Sequence, residues 1–166
     1  MASYASGTEV PVSRSIDELD RTVTRFGATG FAYARDDAHD PPTARVMFRI
    51  ADRMVRFDVP TPQVREFLYT PTNQRRTQAQ AERFAAAEER RRWRQLLLLV
   101  KALLVAVQED VVSLADAFLP YTLLPSGQTF AQWAGPQLDT IAATAQMPAI
   151  LPGAGPQTIA LPGRVD

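Results

Sequence analysis

Residues 45–59 read Arg45-Val46-Met47-Phe48-Arg49-Ile50-Ala51-Asp52-Arg53-Met54-Val55-Arg56-Phe57-Asp58-Val59, and their period decides the fold class. Val46, Phe48 and Ile50 alternate with Arg45, Met47 and Arg49. Val55, Phe57 and Val59 alternate with Arg56 and Asp58. A period of two marks half-buried strands, because successive side chains leave a strand on opposite faces. The tight turn near Ala51-Asp52 joins the two runs into an expected antiparallel hairpin. Phe31–Arg35 also alternates and offers a third strand. Pro60 and Pro62 end the sheet.

Upstream, the period is helical. Ser15-Ile16-Asp17-Glu18 fits a capping box, followed by Ile16, Leu19, Val23 and Phe26 at helical spacing. Gly27 suits the stop, so residues 16–26 are expected to be a short amphipathic helix. Residues 1–14 read as a flexible arm. Downstream, residues 63–73 form a connector, and Thr77-x-x-Gln80 is a second capping box. No Gly or Pro interrupts the chain from there to Pro120. One helix of about 42 residues, roughly 63 Å, fits that stretch, with a break near Gln108–Asp110 allowed. Pro125-Ser126-Gly127 marks a turn. Thr129 can cap a helix to about Gln146, which Pro136 is expected to kink or split. The expected fold is α+β: a small antiparallel sheet of two or three strands packed with one long helix and short N- and C-terminal helices. Residues 15–147 make a single domain in this reading, and 148–166 a Pro/Gly-rich tail.

Composition narrows the function. The chain has 166 residues, with 18 Lys plus Arg and 18 Asp plus Glu, a formal net charge of zero. It has no Cys and one His, His39. That excludes disulfides, thiolate nucleophiles and a multi-histidine metal centre within one chain. Zero net charge argues against coating nucleic acid by bulk charge. The run Leu96–Val107 is too short to span a membrane, which takes about 20 residues. The first ten residues lack the features of a signal peptide, so the expected location is the cytoplasm of a bacterial host cell.

No nucleophile elbow, phosphate-cradling loop or dinucleotide fingerprint is present. The single cluster of metal-type ligands is Asp36-Asp37-Ala38-His39-Asp40. Its spacing matches neither an EF-hand nor a zinc signature, and a solvated acidic loop accounts for it. No cofactor and no catalytic residue is assigned, and the balance leans away from an enzyme.

Arginine placement says more. Seventeen of the 18 basic residues are Arg. Arg76, Arg83, Arg90, Arg94 and Lys101 fall within about 20° of one line on a helical wheel, over roughly 37 Å. Arg76 belongs only if the helix begins before its cap. A row of guanidinium groups suits a phosphate backbone, because each offers a fork of donors and keeps its charge. Arg45, Arg49 and Arg56 share the sheet face opposite the apolar one and offer a second basic surface. Leu96–Val100 is apolar right round, so the steps Trp93, Leu96, Val100, Leu103 and Val107 are read as a helix–helix seam between two copies.

The Arg-Trp-Arg segment at residues 92–94 entering a leucine-rich helix, Leu124-Pro125-Ser126-Gly127-Gln128-Thr129 with Trp133, Met147-Pro148 and Leu151-Pro152-Gly153 together carry a resemblance. With the hairpin, they resemble small uncharacterised phage- and prophage-encoded proteins of GC-rich bacterial hosts. The resemblance implies no activity and transfers no site residue. It implies a setting of DNA metabolism, virion assembly or interference with host machinery. The order helix, strands, long helix is also similar to the core of phage single-strand annealing proteins, in element order alone. The leading expectation is a non-enzymatic, oligomeric protein that binds nucleic acid through the Arg stripe. The alternatives are an assembly module using the long helix as a subunit contact, and a metal-dependent enzyme at Asp36–Asp40.

Overall fold

The computed structural model describes residues 10–38, 40–144, 146–147 and 157–158. The chain divides into two compact units, Met1–Phe118 and Leu119–Asp166.

The first unit is α+β. Helix α1 (Val12–Arg25) precedes strands β1 (Ala28–Asp36), β2 (Thr43–Ile50) and β3 (Arg53–Pro60). They form one antiparallel sheet in the order β1-β2-β3. The register places Val46 opposite Phe57 and Phe48 opposite Val55, so the hairpin pairs as its period demands. Ala51 takes a positive φ of 49° at the turn. Val46, Phe48, Ile50, Val55, Phe57 and Val59 are all buried on one face. Beyond a short 3-10 turn, Val64–Phe67, comes the long helix α2 (Gln78–Gln108), and then α3 (Leu114–Phe118). Trp93, Leu97, Val100 and Leu104 of α2 and Leu19 and Val23 of α1 are buried as well. Phe118 packs edge-on against Phe48, with centroids 6.1 Å apart.

Two boundaries stand out against the sequence reading, the start of α1 and the end of α2, each for a local reason. Helix α1 begins at Val12 with Pro11 as its cap, inside the stretch read as an arm. Residues 1–9 of that arm lie outside the described residues. The Ser15–Glu18 capping box does not form. Ser15 lies inside the helix, 1% exposed, and its hydroxyl has no partner among the described residues. Gly27, at φ 92°, does end the helix. Helix α2 opens on the expected box, in which Thr77 accepts from the Gln80 amide. It ends at Gln108, at the break that the sequence allowed, rather than running on to Pro120. Asp110 adopts a left-handed φ of 54° there. The amide of Val111 then donates to Ala106 and that of Asp110 to Val107, which closes a Schellman motif without a glycine. Ser113 caps the next helix by accepting from the Asp116 amide.

In the second unit, a 3-10 turn (Leu119–Tyr121) leads to a hairpin-like turn in which the Gly127 amide donates to Leu124. Gly127 needs its positive φ of 81°. Helix α4 (Phe130–Thr144) follows, capped reciprocally by Thr129 and Gln132. It runs on through Pro136 without losing its first turn. Short strands β4 (Gln146–Met147) and β5 (Gln157–Thr158) pair antiparallel. The rest of the expected tail, 148–156 and 159–166, lies outside the described residues.

Candidate nucleic-acid interface

Helix α1 lies on α2, and the two run in the same direction. Glu18 meets Arg94 and Lys101, while Phe26 near the end of α1 shares a cavity wall with Leu104 and Val107. Strand β1 turns back from there. Tyr33 reaches Trp93 edge-on at 5.5 Å, and Arg35 approaches Glu89 at 3.6 Å.

This arrangement rewrites the basic stripe. Arg76 is not part of it. It precedes the Thr77 cap and donates to the carbonyls of Phe67 (3.1 Å) and Tyr69 (2.8 Å). Its guanidinium also lies 4.2 Å from the centre of the Phe84 ring. Arg76 therefore pins the connector against the start of α2. Arg83 is exposed on α2, and Arg90 is half-buried with a partner of its own. Arg94 and Lys101 are only about one-third exposed. Arg94 donates to Glu18 Oε2 at 3.1 Å, and Lys101 donates to Glu18 Oε1. The Lys101 hydrogen bond, with the Lys101 and Arg94 charges, holds the Glu18 carboxyl below its ordinary range, against the opposing effect of burial. One carboxylate against two cations still leaves the group net positive.

A second basic line escaped the sequence reading. Arg14, Arg21 and Arg25 are all exposed on α1 and lie within about 20° of one wheel line. Glu18 projects about 40° from that line, on the side that meets α2, whereas Asp17 and Asp20 fall about 60° and 120° away on the other side. The Arg line of α1 and the stripe of α2 therefore flank the same carboxylate and form one surface. The steps of seven and four from Arg14 to Arg25 were the available signal.

The sheet is a weaker candidate. Arg45 and Arg56 converge on Asp58, at 3.4 and 3.1 Å, and the Arg56 side chain is only 11% exposed. Arg49 alone of the three is exposed, and it has no ion pair among the described residues. Asp58 thus offsets one of the three charges and draws Arg45 and Arg56 together, leaving Arg49 as the exposed cation of this face.

The expected subunit seam is not on the surface. Trp93, Leu96 and Val100 are 1%, 8% and 0% exposed within the chain itself. They are the core that joins α2 to the sheet and α1. Leu103 and Val107 are half-buried, and Val107 lines a cavity of about 350 Å³ with Phe26, Ile50, Leu104 and Leu114.

At the acidic loop, Asp37 pairs with Arg35 at 2.7 Å and Asp40 with Arg65 at 3.3 Å. His39 lies outside the described residues. Among the described residues, no group of three or more His, Cys, Asp or Glu is placed to hold a metal ion. Nor is any helix among them long and apolar enough to cross a membrane.

No protein-family model, curated protein or solved structure matches this chain.

Proposed function

We propose that the surface formed by α1 and α2 binds the phosphate backbone of a nucleic acid, without catalysis. The observation that carries this reading is the placement of Arg14, Arg21 and Arg25 beside Arg94 and Lys101, with Glu18 between the two rows. The α2 row from Arg83 to Lys101 extends about 27 Å, long enough to follow several phosphates. Guanidinium forks hold phosphate oxygens bidentately and remain charged at every relevant pH. Affinity arises from neutralised phosphates and released counterions, so it falls steeply with salt. Among the described residues, none of the exposed aromatic side chains lies on these rows, so base readout is slight. The reading accords with the DNA-metabolism setting that the resemblance to phage-encoded proteins implies.

Fluorescence anisotropy with labelled single- and double-stranded DNA at about 50 and 200 mM salt tests it. Binding is expected at the lower salt and is largely lost at the higher. No binding at low salt sinks the proposal. The triple variant Arg14→Gln, Arg21→Gln, Arg25→Gln is expected to lose most of the affinity while folding normally. Equal loss in Arg45→Gln, Arg49→Gln would move the interface to the sheet.

A further inference from the structure

The face of α2 that points away from the core is apolar in its middle and oppositely charged at its two ends. Leu99 and Val105 are 42% and 50% exposed, and Ala102 between them is exposed too. On the wheel Leu99 and Ala102 lie about 140–160° from Leu97 and Leu104, which are buried, and Val105 flanks Ala102 by about 60° on the side of Lys101. Lys101, the one charge within the apolar run, is turned toward α1 by Glu18. From residue 95 to 106 the outer face therefore carries no charge.

Its ends differ in sign. Arg91 and Arg92 share the carboxylate of Glu88 at 2.5 and 3.0 Å, and Arg92 also donates to the neutral Pro60 carbonyl at 2.7 Å. Glu109 and Asp110 at the other end are exposed and have no ion pair among the described residues. A parallel neighbour with the same face would set like charges together. An antiparallel copy sets the Arg91–Arg92 end of the face beside the Glu109–Asp110 end of the other, twice over by symmetry. The same register places Leu99 against Ala102 of the other copy, a large side chain over a small one, as close helix packing requires.

We infer that this outer face of α2 is the contact surface of an antiparallel homodimer with its two-fold axis near residues 100–101. The partner is a second copy of this chain, because the charge order of the face complements its own reversal. The dimer uses the face opposite Trp93 and Val100, and it leaves the Glu18 surface free.

Sedimentation of the full chain over a wide concentration range tests the inference. A monomer–dimer equilibrium is expected. Leu99→Glu and Val105→Glu, both at exposed positions, should each weaken association by about a hundred-fold or more, with an unchanged far-UV spectrum. Glu109→Arg should weaken it less. Since the chain has no Cys, Ala86→Cys takes one spin label per copy. The antiparallel register places the two labels about 43 Å apart. A monomer at every concentration overturns the inference. So does a dimer indifferent to both glutamate variants, a capture of some other protein in place of self-association, or labels within about 20 Å, the parallel distance.

Discussion

Glu18 and Arg94 stand 76 residues apart in the chain and meet at 3.1 Å. The same carboxylate takes Lys101. This contact ties the first helix to the long one and also masks two cations of the proposed phosphate-binding surface. Glu18→Gln should therefore have opposite effects on stability and binding. The side chains are about one-third exposed. The loss of stability is accordingly on the order of 1 kcal/mol. Affinity for DNA should rise, and the salt slope should steepen by about one to two phosphates. Anisotropy beside urea denaturation reads both. Unchanged affinity would take Arg94 and Lys101 out of the phosphate path.

Acid should weaken the fold through two carboxylates. Glu18 and Glu88 both sit below their ordinary value of 4.5, chiefly through hydrogen bonds from Lys101 and from Arg91 respectively. The unfolded chain therefore binds protons at a higher pH than the folded one. Their contribution is fully present above about 4.5 and is lost as pH falls through the lowered folded values. Denaturation midpoints should be flat with respect to these groups near neutrality and fall below pH ~4.5. The fall should be shallower in Glu18→Gln. An equal slope in the variant would remove Glu18 from this account.

Ser15→Ala should stabilise the protein. The Ser15 hydroxyl is buried without a partner among the described residues, whereas a methyl group needs none. A gain of about 1 kcal/mol is expected, helped by the higher helix propensity of Ala. Thermal unfolding measures it, and a clear loss would mean that the hydroxyl is satisfied in solution.

Trp93 separates core from seam. It is 1% exposed and meets Tyr33 edge-on. Trp93→Ala should destabilise the fold by about 3–5 kcal/mol. A subunit seam would instead change the oligomeric state at nearly constant stability. Denaturation and sedimentation on the same variant distinguish the two.

Much of the architecture was legible. The alternation over 45–59 defined the hairpin and its buried face, and the observed register keeps to it, because a one-residue slip would turn Val46 and Phe48 out to water. Gly27 and the Thr77–Gln80 box marked two helix ends. The end of α2 falls at the break that the sequence allowed near Gln108–Asp110, but nothing in the sequence demanded it, since Asp110 closes a motif that sequence patterns expect of glycine. The start of α1 was misread because Ser15 satisfies a capping pattern yet sits on the buried side of its helix.

For the candidate site the division runs deeper. Sequence by itself determined which elements form and which residues of each element share a face, because period is a local property of the chain. It placed Arg83, Arg90, Arg94 and Lys101 on one line, and it held the spacing of Arg14, Arg21 and Arg25 unread. Only the tertiary structure decided what each face meets. It put Glu18 between Arg94 and Lys101, put Asp58 between Arg45 and Arg56, and buried Trp93, Leu96 and Val100 inside the chain. Ion pairing and burial depend on the distance between segments far apart in the chain, and helical or strand periodicity carries no information about that distance.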